Sequence, residues 1–342
     1  MTVETMSFCF SYRRYRRAFR KALRTARGEW RFREGFILYA ESQEGQVGFG
    51  EIAPIPEFGT ETVDAAANFL QHLVEDPALA ENSDELDGLP CCAFALSAAQ
   101  RSTGNTTENH DRHYQLAGLL PAGPDALRVL QSKVAQGYSA FKWKIGVLPV
   151  EEEVALLGNL VSKLPDASKI RLDANGGLSE TEFIQWLEGL DPFRKRIDYL
   201  EQPLQPGAEL LMAELGQKYD FSIALDESLN GSDEAVWLNA DKWPGPFVVK
   251  PLLMGDIDQL AKRLQPIASR VTLSSAFETG IGLHNALKLA EALPGLNAPV
   301  GFDTQGAFED NLNRPSAVSG GSISLADHSH IESLWKTLRH LS

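Results

Sequence analysis

From about residue 114 onward the chain repeats one pattern. A short apolar run ends in a polar residue, a turn of Gly, Pro or Asn follows, and an amphipathic stretch comes next. The apolar runs are YQLAGLL, SAFKWKI, KIRLDA, IDYLEQ, FSIALDE, PFVVKP and RVTLSS. Between them lie DALRVLQSKVAQG, VEEEVALLGNLVSKL, SETEFIQWLEGL, AELLMAELGQKY, DIDQLAKRLQPI and GLHNALKLAEAL, apolar at helical spacing. Strands alternating with helices predict parallel βαβ units. Seven such strands, with a short eighth at APVGFD (298–303), predict a closed β/α barrel of the α/β class. No GxGxxG follows the first strand, which removes support for a dinucleotide-binding fold.

The first hundred residues read differently. FILYAESQEGQVGFGEIAPI (36–55) predicts a hairpin with an EG turn, and a helix-rich stretch follows to about residue 100. The expected organisation is an α+β capping domain over 1–112, a catalytic barrel over 113–304, and a C-terminal segment, 305–342, that returns to the cap. A length of 342 residues suits a barrel with a smaller companion domain.

Charge and cysteine usage narrow the partners. The net charge of −14 opposes non-specific binding of nucleic acid, because a phosphate backbone is repelled. No apolar run reaches 18 residues and the N-terminus lacks an apolar signal core, so neither a membrane span nor an export signal is expected. The three cysteines, Cys9, Cys91 and Cys92, form no framework of bridges and no CxxC. They predict a reducing, cytoplasmic setting and no thiolate metal site. One segment runs against the acidic average: RRYRRAFRKALRTAR (13–27) carries eight Lys and Arg. An organellar presequence or an anion-binding arm is one reading. The interleaved aromatic and apolar residues favour a basic, solvated edge of the small domain.

The polar residues closing the strands carry the chemistry. Lys144, Asp173, Glu201, Asp226, Lys250 and Ser274 close strands two to seven, 24 to 29 residues apart, one βα unit each. Active sites of such barrels lie at these C-terminal ends. Arg171, Lys142 and Thr272 share their interior parity, whereas Leu172, Leu225, Val249 and Leu273 face the helices. Alone, a strand-end acid or serine is ordinarily a helix cap. Three carboxylates on adjacent strands inside a barrel call for a cation. All-oxygen donors favour a hard ion, open positions for water and substrate favour Mg²⁺ over Ca²⁺, and the absence of His and Cys from these ends argues against zinc. Lys142 and Lys144 share one strand face, and Lys250 stands four strands away. A free lysine is too basic to act as a base at neutral pH; neighbouring positive charge is expected to lower the pKa of Lys144. The Pro and Gly spacing of GEIAPIPEFG (50–59) predicts a loop that closes on substrate.

The set FKWKIG, RLDANGG, EQP, LDES, VVKP and LSSAFETGIGL resembles the enolase superfamily, in its muconate-lactonizing-enzyme-like subgroup. RTARGEWRFREGF and GFGEIAPIPEFGTET resemble its cap elements. The resemblance covers nearly the whole chain and implies a (β/α)7β TIM-type barrel whose α+β cap is completed by the C-terminal tail. It implies Asp173, Glu201 and Asp226 as ligands of Mg²⁺, with Mn²⁺ able to replace it, and Lys142, Lys144 and Lys250 as the catalytic lysines. Lysine bases with Mg²⁺ are a known device of this superfamily. A small-molecule carboxylate is then the substrate, with Ser274, Ser275, Asn175 and Arg171 as its further contacts. The His–Asp dyad of the mandelate-racemase-like subgroup is missing, since Lys250 and Ser274 stand there. GFDTQGAF departs from the Asp-x-Asp usual in dipeptide epimerases. The implied reaction is dehydration of a hydroxycyclohexadiene carboxylate in menaquinone or phylloquinone biosynthesis. The alternative is racemisation of N-acylamino acids or epimerisation of dipeptides. Nothing in the sequence sets an oligomeric state.

Overall fold

The computed structural model describes residues 8–25, 28–103, 112–230, 234–313, 318–325 and 327–338. The chain opens with three antiparallel strands, β1 (Phe8–Thr25), β2 (Gly28–Ser42) and β3 (Val47–Ile52), in the order β1-β2-β3. The β2–β3 hairpin turns at the EG pair, where Gly45 takes a φ of 77° that only glycine adopts freely. Helices α1 (Val63–Glu75) and α2 (Pro90–Ser102) follow. Gly48 and Gly50 let α2 lie directly on β3: a Cβ at either position would sit 1.9 Å from the carbonyl oxygen of Ala99 or Ala95. The basic segment 13–27 falls mainly on β1, an edge strand, whose Arg14 and Arg16 are exposed and paired with Glu34. Residues 26 and 27 lie outside the described residues. Arg17 breaks the pattern; it is fully buried and reaches Asp310, Asn313 and the Glu278 carbonyl.

The run YQLAGLL, expected as one strand, divides into β4 (His113–Gln115) and β5 (Ala117–Leu120). Then come α3 (Asp125–Ala135), β6 (Ala140–Lys144), α4 (Val150–Val161), β7 (Lys169–Asp173), α5 (Glu180–Gly189), β8 (Ile197–Glu201), α6 (Glu209–Tyr219), β9 (Ile223–Ala224), α7 (Glu234–Trp237), β10 (Phe247–Val249), α8 (Ile257–Leu264), β11 (Val271–Leu273) and α9 (Gly280–Glu291). Strands β5 to β9 form one parallel sheet. Bridges Leu225–Phe247, Ser274–Gly301 and Leu116–Val300 carry it through the β10–β11 pair and the eighth-strand segment back to β5. The ring of eight closes, with the eighth position reduced to those bridges. Helix α7 is a single turn, because the sequence around it is rich in Asn, Asp, Gly and Pro.

Local signals account for the helix starts. Ser179 caps α5 in a reciprocal capping box with Glu182. Thr279 caps α9 by accepting from the Ile281 N–H. On β6 the alternation is strict: Phe141 and Trp143 are fully buried among the helices, where Trp143 packs edge-on against Trp186, while Lys142 and Lys144 point inward. Removing such a buried indole costs about 3–5 kcal/mol.

The tail serves both parts of the molecule. Strand β13 (Ser322–Ser324) pairs with β4 and with β12 (Val318–Ser319). Helix α10 (His328–Thr337) lays Ile331, Leu334 and Trp335 against Tyr15, Ile37 and Phe49 of the cap sheet. Cap and barrel are joined further by α2, whose Ser97 Oγ accepts from the Ile257 N–H at 3.0 Å, and by Arg101, 2.7 Å from Asp258. Among the described residues, no helix is long and apolar enough to cross a membrane.

Candidate active site

Parallel register puts the strand-end residues side by side: Lys144 opposite Asp173, and Asp173 opposite Glu201. Lys142, Lys144, Asp173, Asn175, Asp226, Lys250, Ser274 and Ser275 all line one cavity of roughly 830 Å³, its open mouth included. Glu201 is fully buried just behind it. The cap contributes Trp30 and Phe58, whose rings meet at 6.2 Å. Phe58 belongs to a 3-10 turn, Pro56–Phe58, within the predicted closing loop, and its ring lies 5.0 Å from the Lys250 ammonium.

The two lysines of β6 do not face each other as bare cations. Lys142 Nζ lies 2.9 Å from Asp173 and 2.6 Å from Glu201. Burial pulls the Lys142 pKa down, but the charges of Asp173, Glu201 and Asp226 outweigh it and hold the group well above the usual lysine value. Lys144 Nζ instead donates to Asn175 Oδ1, and Asn175 is oriented by its own amide donating to Glu227 at 3.3 Å. Asn175 stands at φ 47°, a left-handed conformation that asparagine tolerates better than most residues. Lys250 pairs with Asp226, and its pKa is likewise raised, burial being outweighed by Asp226 and Glu227.

The carboxylates divide accordingly. Burial works to raise Asp173, but Lys142 and Lys144 hold it below the ordinary range. Burial and the charge of Asp173 push Glu201 up to about 8 against the pull of Lys142. Its Oε2 is buried without a hydrogen-bond partner. Crowding of buried carboxylates thus opposes a negative charge on Glu201. This hard-oxygen set suits a divalent cation, which would relieve that repulsion. The side chains are turned toward the lysines; among the described residues no three acidic, His or Cys side chains converge on one point as they stand. Holding an ion would require these side chains to turn until Asp173, Glu201 and Asp226 each present an oxygen that the lysines leave open, as Glu201 Oε2 already is.

The strand-seven wall is held by the cap. Arg33 Nε donates to the Ala276 carbonyl at 3.1 Å and Arg17 Nη1 to the Glu278 carbonyl at 2.9 Å, one on each side of Phe277. Phe277, at φ 61°, lines the cavity and packs edge-on against Phe19. Ser275 Oγ is engaged with Glu278 at 3.0 Å and Thr304 at 2.9 Å.

A model described as Enolase C-terminal domain-like matches residues 125–329, and one described as MenC, N-terminal domain matches residues 13–103. The o-succinylbenzoate synthase of Thermosynechococcus vestitus is 37% identical over 288 residues, 82% of this chain and 88% of that protein. The chain belongs to the o-succinylbenzoate synthase family of the enolase superfamily. A crystal structure of the synthase from Thermosynechococcus elongatus BP-1, with Mg in its active site, is 33% identical. It overlays with a TM-score of 0.82 over 96% of this chain and 99% of that one. The L-Ala-D/L-Glu epimerase of Bacillus subtilis overlays with a TM-score of 0.77 at 19% identity, covering 94% and 96% of the two chains. That likeness shows the shared fold alone.

Within this enolase-superfamily barrel one sequence expectation needs correction. Arg171 does not reach the cavity. It lies deeper in the barrel, with Nε 2.9 Å from Asp198 and Nη1 2.7 Å from the Pro299 carbonyl, its guanidinium over the Tyr199 ring. Interior parity was read correctly, but parity does not specify height along the axis. Sequence reasoning missed Trp30, Phe58, Phe277 and Thr304 as cavity-lining residues. The apolar three look like ordinary core, and only the Pro and Gly spacing around Phe58 pointed to the site.

Proposed function

We propose that this chain is an o-succinylbenzoate synthase, dehydrating 2-succinyl-6-hydroxy-2,4-cyclohexadiene-1-carboxylate to o-succinylbenzoate on the route to menaquinone or phylloquinone. The observation that carries this choice is the 37% identity to a synthase over most of both chains. Asp173, Glu201 and Asp226 are the proposed holders of Mg²⁺, or of Mn²⁺ in its place. A cation bound there supplies positive charge to the substrate carboxylate as the α-proton leaves.

Lys144, as the free amine, takes the α-proton, and the C–H pair becomes the new ring double bond. The C–O bond at the 6-position breaks, the departing hydroxide takes the proton back from the Lys144 ammonium, and water leaves. The ring is then aromatic, with no change of oxidation state in the protein. Asn175 and Glu227 hold the Lys144 side chain in reach; the hydrogen bonds between them support that role. Lys250 presents a fixed cation to the ring's electron-rich face. Lys142 pairs with Asp173 and Glu201 and holds both side chains in place. Ser274, in the cavity wall, is the proposed contact of the succinyl group, and Trp30 and Phe58 are placed to exclude water.

The test is product formation, followed by ultraviolet absorbance, with Mg²⁺ and after chelation. Metal-dependent formation of o-succinylbenzoate is the expected result. No product, together with racemisation of N-acylamino acids or epimerisation of dipeptides, would replace this reading by the alternative.

A further inference from the structure

Asp303, like Glu227, is a cavity carboxylate outside the proposed metal set. It stands at the end of the eighth strand, and three donors converge on it. The Leu119 N–H donates to Oδ2 at 2.7 Å, the Tyr138 hydroxyl to Oδ1 at 3.0 Å, and the Lys133 ammonium pairs with Oδ2. Lys133 belongs to α3, in the helix layer outside the barrel, and is not itself a cavity residue. Its chain passes Tyr138, with Nζ 4.5 Å from the ring centre, and lies against β5 at Gly118. A Cβ at Gly118 would lie 2.7 Å from Lys133 Cδ and 3.0 Å from Tyr138 Cδ1, so the missing side chain is what leaves room for the lysine. A lysine threaded from the helix layer to a carboxylate in the cavity wall does nothing for the metal ligands. It removes a negative charge from the wall that the ligand meets.

We propose that Lys133 is a specificity-determining positioning residue, which cancels the charge of Asp303 so that the cavity accepts a ligand with a second carboxylate. This rests on the dicarboxylate substrate of the proposed function. Were Asp303 left bare, it would repel the succinyl carboxylate in a water-poor pocket, where like charges interact strongly.

The experiment is calorimetric binding to the Mg²⁺-loaded protein of o-succinylbenzoate and of 2-butyrylbenzoate, which lacks the second carboxylate. Lys133→Met should weaken o-succinylbenzoate roughly tenfold or more while weakening the monocarboxylate far less. Adding Asp303→Asn to Lys133→Met should restore the ratio, because the wall is again neutral. An unchanged ratio in Lys133→Met overturns the proposal. So does a loss that Asp303→Asn fails to repair, since the lysine would then act through packing. Should Lys133→Met not fold, Asp303→Asn alone decides: the uncompensated ammonium should favour the dicarboxylate over the monocarboxylate, and no gain overturns the idea. An unaltered chain that binds o-succinylbenzoate without forming it contradicts the proposed dehydration, while this inference still stands or falls on the binding ratio.

Discussion

Glu51, on the last strand of the cap sheet, caps a helix of the barrel: its carboxylate accepts the Thr279 N–H at 2.9 Å. It also accepts the Thr279 hydroxyl, the Gly282 N–H at 2.9 Å and the Tyr15 hydroxyl at 2.7 Å. The first turn of α9 is thereby tied to the cap, beside the wall that carries Ser275 and Phe277. Glu51→Ala leaves several buried donors unmatched and should cost about 3 kcal/mol or more in urea unfolding. A loss below about 1 kcal/mol would mean that water or another acceptor fills the place.

Glu278 gives a pH signature. Burial pushes its carboxyl up to about 7, with hydrogen bonds from the Ala276 N–H and Ser275 hydroxyl working the other way. Between its ordinary value and about 7 the folded chain holds the proton more tightly than the unfolded chain. Stability from this group therefore falls as pH rises through that window, by up to about 3 kcal/mol. Glu278→Gln keeps an acceptor and loses the titration. Unfolding midpoints at pH 5 and pH 8, at equal metal content, should differ less in the variant than in the unaltered chain. Equal differences would place the Glu278 pKa near that of an ordinary carboxyl.

The metal proposal predicts that Glu201→Gln weakens Mg²⁺ binding about a hundredfold or more and nearly abolishes turnover. Calorimetric titration of Mg²⁺ reads the first and product absorbance the second. Unimpaired turnover in chelated protein would remove the metal from the account.

For the cap loop, Phe58 over Lys250 and Trp30 over the cavity motivate a closing role. Amide exchange in 54–59 should slow when o-succinylbenzoate binds. Unchanged exchange there would make the loop a fixed wall.

Much of this was legible in the chain because barrel chemistry is periodic. Lys144, Asp173, Glu201, Asp226, Lys250 and Ser274 recur at one βα spacing, and the structure sets them around one cavity. Arg171 shows the limit of that logic, since parity placed it inside but not at the mouth. The role of Lys133 was invisible for another reason. It sits at a helical position that reads as solvent-facing, and only the gap at Gly118 lets it reach Asp303. Arg17 was hidden in the same way, one buried arginine within a basic strand whose neighbours are solvated.

The central claim is that Lys144 moves the proton and Lys250 does not. The direct measurement is deuterium incorporation at the α-carbon of substrate recovered from Mg²⁺-loaded protein in D₂O. Lys250→Ala should form product far more slowly yet still exchange that hydrogen, while Lys144→Ala should do neither, proton transfer being worth about 10²–10⁴-fold. Exchange that survives in Lys144→Ala and vanishes in Lys250→Ala would put the base on the opposite strand and contradict the account.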